Sequence, residues 1–322
     1  MKSHNKLQLL AKVASLYYQE DKSQAEIARQ LGYSRSAISR ILDKARKHGI
    51  VEVTIHYPVE RSHYYERLLK QEFGLKDAFV LEMDNQDYDQ LVRNLGQFGV
   101  DVAMEHLVEG GTMGITWGRA LFEFVHAMRT SISSNVKVVQ LMGALGKEGR
   151  YFDGHGMALV LASKLGGSHY VPYIPLMVES EEIHRGLSNQ PNIQEFEQVT
   201  KNLDLAVIGI GSMEMEYSGV YQAGYLSQDE MSALREMGAV GEMLGYFIDI
   251  HGEKLDVEFH DRLFSTYVGD LNKSGCKVIA IAGGKIKTES VLGALRGKYV
   301  DVLVTDSGVA ETVLKMENRL LV

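Results

Sequence analysis

The stretch Gln24–Leu42, QAEIARQLGYSRSAISRIL, decides how the rest of this chain is organised. Ile27, Ala28 and Leu31 share one helical face, and Ile38, Ile41 and Leu42 share another after a break at Gly32-Tyr33-Ser34. Ala28 lets a second helix approach closely. Gly32 takes the left-handed conformation that ends a helix, and Ser34 offers an N-cap oxygen to the next one. The expectation is a helix-turn-helix whose second helix enters the major groove. On its outer side that helix carries Arg35, Ser36, Ala37, Ser39 and Arg40. These supply two guanidinium forks suited to guanine edges or phosphates, two hydroxyls and a methyl. A helical hairpin with a basic exterior is the bland alternative, but the small residue, the glycine and the apolar positions agree on DNA binding.

Flanking segments extend this head. Lys6 to Gln19 reads as a helix with Leu7, Leu10, Val13, Ala14 and Tyr17 on one face, the third member of a trihelical core. Lys44, Arg46 and Lys47 follow near the recognition-helix C-terminus, where either the helix dipole or DNA phosphate accounts for them. The DNA-facing set is therefore Gln24, Ser34, Arg35, Ser36, Ala37, Ser39, Arg40, Lys44 and Lys47. The alternation of Ile50, Val51, Val53 and Ile55 predicts a strand, and hence a small wing closed by Pro58.

Charge follows the same division. The 322-residue chain has net charge -8, which by itself argues against nucleic acid. Yet residues 1–58 hold ten Lys/Arg against five Asp/Glu, while the remainder holds 24 against 37. A basic head attracts phosphate locally, and an acidic body limits nonspecific adhesion. The length predicts two domains. A single cysteine, Cys276, excludes an internal disulfide and fits a reducing compartment. The amphipathic N-terminus lacks a signal-peptide cleavage site, and no run of about 18 apolar residues occurs. A cytoplasmic protein with no membrane partner is expected.

From Glu60 to Phe73 the helical pattern returns, with Tyr64, Tyr65, Leu68, Leu69 and Phe73 on one stripe that packs on the body or pairs with a second subunit. Residues 59–76 are read as a connector between a head at 1–58 and a body at 77–322. Helix-turn-helix heads work as dimers on two half-sites, so self-association is expected. Beyond Asp77, the strand candidates AFVLEM, MGIT, VKVVQLM, SHYVPYI, LAVIGI, KVIAIAG and VDVLVTD alternate with helical patterns. Those helices are expected at Tyr88–Leu107, Arg119–Met128, Gly156–Lys164, Glu182–Thr200, Asp229–Met237 and Thr288–Leu295. Short apolar strands separated by helices predict a parallel sheet covered on both faces, a doubly wound α/β body.

Ligands of such sheets bind beyond the strand carboxyl ends, and several exits here are rich in glycine. They hold Thr116-Trp117-Gly118, then Gly143 and Gly146, then Gly209, Gly211 and Ser212, and finally Gly283, Gly284, Lys285 and Lys287. Glycines admit close backbone approach, while helix N-termini and lysines attract anions. Glycine also ends strands for steric reasons alone, so it is their number that favours a small anionic ligand. None matches the dinucleotide or P-loop pattern. His251 and His260 lack the thiolates or carboxylates of a metal site, so no metal or cofactor is expected. His155 reads as a capping or core-edge residue before a ligand contact, and Trp117 as core before a stacking platform.

Together LYYQEDKSQAEIARQLGYSRSAISRIL, MGITWGRAL, AVIGIGSM, GAVGEMLGYFIDIHG and IAGGKIKTESVLGALRGKYVDVLVTD resemble the SorC family of bacterial sugar-responsive transcriptional regulators over nearly the whole chain. The resemblance implies a winged helix-turn-helix before a body similar to sugar-phosphate isomerases and deaminases. It also implies double-stranded operator DNA as partner, a sugar or sugar phosphate as effector, and assembly into a dimer or tetramer. By position, Thr116, Trp117, Gly118, Arg119, Gly143, Gly146, Gly209, Gly211, Ser212, Asp249, Gly283, Gly284, Lys285 and Lys287 would surround the effector. Asp249 would accept sugar hydroxyls and Lys287 would meet phosphate. The chain departs from many relatives at Met142-Gly143-Ala144, where a glycine pair is common, and at Gly241-Glu242, where an aspartate follows the glycine. The related deaminases carry Asp-Gly-His after the GIG turn; here Ser212-Met213-Glu214-Met215-Glu216 follows, which counts against an isomerase or deaminase. A DNA-bound scaffold with an empty pocket is the third alternative.

Overall fold

A computed structural model describes residues 2–51 (side chains from residue 7 onward), 60–83, 87–130, 134–146 and 154–319. The chain divides into two compact units, residues 1–58 and 59–322.

In the head, α1 (Lys2–Tyr18), α2 (Gln24–Leu31) and α3 (Arg35–Lys47) form the three expected helices. Ser23 and Glu26 close a reciprocal capping box at the start of α2, each side chain accepting the other's backbone N–H. Gly32 ends α2 at φ 73°, and the Ser34 hydroxyl accepts the Ala37 N–H at 3.2 Å to start α3. Val13, Leu16, Ile27, Ala28, Ile38 and Leu42 make one buried cluster, and Leu10, Ala14 and Ala45 another. The inner arc of α1 is wider than a single stripe because both partner helices grip it. Leu16 is buried in consequence, while Leu7 remains 45% exposed. Of the expected wing strand, Ile50 and Val51 pack against the Leu10 cluster; Val53, Ile55 and Pro58 lie outside the described residues.

The connector belongs to the body. Residues 60–62 run antiparallel to β1 (Asp77–Leu81), so α4 spans His63–Phe73 and starts later than the sequence pattern indicated. Leu69 of α4 is fully buried, with Tyr65, Leu68 and Phe73 beside it, and Tyr64 faces outward. The chain then runs through α5 (Tyr88–His106), β2 (Thr112–Ile115), α6 (Arg119–Ala127), β3 (Lys137–Gln140), α7 (Gly154–Lys164) and β4 (His169–Tyr170). Next come α8 (Glu181–Ser188), α9 (Pro191–Thr200), β5 (Leu205–Gly209), β6 (Gly211–Ser212), α10 (Gly219–Gln222) and α11 (Gln228–Glu236). The remainder holds β7 (Gly241–Met243), β8 (Tyr246–Ile248), α12 (Glu258–Asp261), α13 (Val268–Lys273), β9 (Lys277–Ile281), α14 (Thr288–Arg296), β10 (Val302–Asp306) and α15 (Ser307–Met316).

Seven of these strands form one sheet in the order β1-β10-β9-β5-β2-β3-β4, every pair parallel. Burial on both faces explains their nearly continuous apolar sequences, and all five positions of β10 are inside. Three features depart from the sequence pattern. Pro191 starts a new helix, because a ring without an N–H cannot continue α8, so the expected helix over 182–200 is two. Strand β4 is cut to two residues ahead of Pro172. Strands β6, β7 and β8 form a separate antiparallel sheet, too short to leave a periodic signal.

Helices α5 and α6 touch backbone to backbone. A Cβ on Gly96 of α5 would stand 2.8 Å from both the Ala120 carbonyl oxygen and the Phe124 nitrogen of α6. Gly96→Ala is therefore expected to destabilise the protein by roughly 1–3 kcal/mol, although alanine is intrinsically better in a helix by about 1 kcal/mol. Urea unfolding of the full chain measures this, and an unchanged midpoint would refute the close approach.

Candidate functional site

The sheet order reverses between β2 and β5. From β2 the chain builds outward through β3 and β4, whereas β5, β9, β10 and β1 lie on the other side. Such a reversal opens a crevice at the strand carboxyl ends. A cleft lies there, lined by Thr116, Trp117, Gly118 and Arg119 after β2, by Gly209, Ile210 and Gly211 around the end of β5, and by Ala282 and Gly283 after β9. Tyr88, Val92 and Leu95 of α5 form one wall. Met142, Glu242, Leu244, Tyr217 and Gly219 also contribute.

Local sequence explains this shape. Gly118 precedes α6 at φ 133°, a conformation L side chains rarely adopt, and leaves the helix start without a side-chain cap. The first turn of α6 thus brings amides with no intrahelical acceptor to the cleft. Gly219 lets the indole of Trp117 lie against the backbone, since a Cβ there would stand 2.5 Å from the ring. The rings of Tyr88 and Tyr217 meet edge to face at 4.9 Å, and burial pushes the Tyr88 phenol up to about 12. Leu244 and Gly245 join β7 to β8 with φ 56° and 82°, two successive positive values as in a type I′ hairpin. Leucine is a strained choice there, but its side chain is 3% exposed and walls the cleft.

Among the ionisable groups that line the cleft, Lys287 and Glu242 act on each other. Lys287 follows the Gly283-Gly284 turn, and its ammonium donates to the Ile210 carbonyl. Burial lowers its pKa to about 8, outweighing the attraction of Glu242. Glu242 shows the converse. Burial raises its carboxyl above the ordinary range, although one oxygen accepts the Gly245 N–H at 2.8 Å and Lys287 favours the charged form. Burial thus favours the neutral form of both: the Glu242 carboxylate takes up a proton more readily than an exposed one, the Lys287 ammonium gives one up more readily, and an opposite ligand charge would offset either cost.

Of the expected effector residues, Thr116, Trp117, Gly118, Arg119, Gly209, Gly211, Gly283 and Lys287 come together here. The others do not line the cleft. Gly143 packs on the Pro175 backbone and donates to the Phe264 carbonyl; Gly146 forms a positive-φ turn. The Ser212 hydroxyl is occupied by the Ile286 carbonyl and the Glu214 N–H. Gly284 backs onto Tyr88, and exposed Lys285 lines a separate groove with Ser212 and Arg235. Asp249 is the main correction. Its carboxylate accepts the His251 and Glu253 N–H groups in a turn after β8. The hairpin reaches the cleft with its Leu244 tip, so the carboxyl end of β8 leads away from it. Glu242, and not Asp249, is the carboxylate nearest Lys287 in the cleft lining. In the sequence it was visible only as a departure from the family pattern, and nothing there singled out Tyr88 or Tyr217. His155 stacks near Tyr173 and lines none of the cleft. Among the described residues no cluster of acids, histidines and cysteine is placed to hold a metal, and no helix is long and apolar enough to cross a membrane.

On the head, Ser34, Arg35, Ser36 and Arg40 are exposed along the start of α3, with Ala37 and Ser39 half-buried between them. Arg40 folds its Nε toward the Ser36 carbonyl at 3.3 Å. Gln24 is half-buried at the start of α2, and Lys44 and Lys47 are exposed at the other end of α3. Arg46 differs from those lysines, donating to the Tyr18 hydroxyl at 2.9 Å across the trihelical core.

Residues 57–315 match the Sugar-bind family model, described as "Putative sugar-binding domain", and residues 13–62 match a MarR family model. The sorbitol operon regulator of Klebsiella pneumoniae is 31% identical over 98% of this chain and 100% of its own length. The chain belongs to the SorC family of transcriptional regulators. The deoxyribonucleoside regulator of Bacillus subtilis is 28% identical over 96% of this chain and 98% of that relative. The crystal structure of the full-length K. pneumoniae protein matches with a TM-score of 0.74, covering 95% of this chain and 98% of that one at 31% identity. This SorC-family member is a DNA-binding, carbohydrate-responsive regulator and not an enzyme.

The position of Lys287 gives a pH test. An anion is held by the ammonium form, which is present below the folded pKa of about 8 and is lost as pH rises through it. Affinity for an anionic ligand should be level near pH 7 and fall by up to about tenfold per pH unit above pH 8. Calorimetric titration across that range checks it, and a flat profile would remove Lys287 from the anion site.

Proposed function

We propose that the effector is a phosphorylated sugar bound in the cleft between α5, α6 and the β7–β8 hairpin, and that binding changes the hold of α3 on operator DNA. The observation carrying this reading is the convergence of the Lys287 ammonium and the α6 N-terminus, which starts after Gly118, on one cleft at the sheet's switch point. A helix start and a lysine together suit a phosphate. Thr116 and Glu242, on the same cleft, suit sugar hydroxyls, and a protonated Glu242 both donates and accepts. The regulator works in the cytoplasm as a dimer or tetramer, since a helix-turn-helix reads two half-sites through a twofold pair.

A thermal-shift panel of sugar phosphates beside their unphosphorylated counterparts tests this reading. At about 100 times its dissociation constant, a ligand adds about 2.7 kcal/mol to the folded state. Phosphorylated members should raise the melting temperature, and Lys287→Ala should abolish that rise while leaving effector-free operator binding intact. A panel with no stabilising member would instead indicate a scaffold with an idle cleft. On the DNA side, Arg40→Ala should cost about 1–3 kcal/mol of operator binding and relax preference at one base position. Lys47→Ala should weaken all sequences alike and reduce the salt slope by about one. Equal, sequence-independent losses in both variants would make Arg40 a phosphate contact.

A further inference from the structure

Residues 60–62 bring the chain into the body along β1, an edge of the parallel sheet. The Ser62 N–H donates to Val80 at 2.9 Å, and the Glu82 N–H donates to Glu60 at 2.8 Å. Between them, Arg61 forks onto Glu66, with Nε to Oε1 at 2.8 Å and Nη2 to Oε2 at 3.0 Å. Glu66 is 6% exposed, and it also meets His63 Nδ1 at 2.8 Å and the Val80 N–H at 3.1 Å. Burial pushes its carboxyl up, but these bonds outweigh that and hold it below the ordinary range. An ion pair this well satisfied at the point of entry fixes one geometry of the chain.

The same guanidinium has a second engagement. Its centre lies 4.7 Å from the Phe79 ring and 5.7 Å from the Phe98 ring. Phe79 sits on β1, whereas Phe98 sits on α5, one turn beyond the cleft residues Tyr88, Val92 and Leu95. Helix α5 is closely seated: Gly96 abuts the α6 backbone, and a Cβ on Gly99 would stand 2.4 Å from Ile281 of β9. Because α6 begins in the cleft as well, a ligand that shifts either helix carries both. Movement at the cleft end of α5 is then delivered to Phe98.

We propose that Arg61 is a positioning residue that couples the cleft wall α5 to the entry segment 60–66, through which the body is joined to the DNA-binding unit. The proposal rests on the cleft being the effector site. Arginine is required because one planar group makes the bidentate fork and stacks on the rings; a lysine keeps the charge and loses both.

Hydrogen–deuterium exchange on the full chain tests the coupling without effector or operator. Arg61→Lys should speed exchange in residues 88–95 as well as in 60–66, by roughly 2- to 30-fold. Phe98→Leu, which keeps apolar volume and removes the ring, should speed exchange in 62–66 from the other side. If the Arg61→Lys change stays within 60–66 and Phe98→Leu leaves that segment unaltered, Arg61 is a local anchor and the proposal falls. With a sugar phosphate that raises the melting temperature in the thermal-shift panel, Arg61→Lys should keep the thermal shift and lose the ligand's effect on operator affinity. A retained effect on operator affinity overturns the proposal. A panel with no binder counts against the sugar-phosphate reading alone, and the exchange result still decides the coupling.

Discussion

Two parallel strands cannot be joined by a tight turn. Each crossover must travel back along the sheet, and in this body helices cover both faces on the way. From that constraint follow the continuous apolar strands, the fully buried β10, and the convergence of the loops after β2, β5 and β9 at one end. The cleft results from this winding: where the strand order reverses between β2 and β5, adjacent loops part and leave room. What distinguishes this crevice is its lining, since the backbone route alone would place a crevice there with any side chains.

The lining is unusual in holding ionisable groups that are uneasy in their charged forms. Lys287 and Glu242 face the same space, and burial works against the charge of each. The lysine leans on the Ile210 carbonyl and the glutamate on the Gly245 N–H. Both anchors are single backbone groups, so a ligand with its own charge and hydroxyls has weak competitors to displace. The head follows the opposite logic. Its charged residues stand in solvent along α3, and its order comes from caps and from the apolar clusters beneath.

Much of this was legible in the sequence because it rests on local rules. Gly32 and Ser34 marked the turn of the helix-turn-helix, and apolar runs marked all seven parallel strands. Glycine-rich exits marked the three loops that meet in the cleft. The features that escaped depend on contacts between distant segments. Asp249 reads as a strand-end carboxylate until the short β7–β8 hairpin is seen to reach the cleft by its tip. Tyr88 is unremarkable in sequence and Glu242 stands out only as a departure from the family pattern; both become cleft residues because α5 and the small sheet flank the switch point. Pro191 is the exception: its helix-breaking effect was open to local reasoning and was overridden by the apolar periodicity around it.

The Leu244-Gly245 turn has a consequence for how such a regulator diversifies. A hairpin of two positive-φ residues would ordinarily hold asparagine or glycine, and here leucine accepts the backbone strain because its side chain completes a wall. Pocket shape is thereby assigned to a loop outside the parallel sheet. Exchanging that one residue alters the room offered to a ligand while every sheet strand, and the helices packed on them, stays in place. A lineage can try new pocket shapes at this turn without first solving the folding problem again.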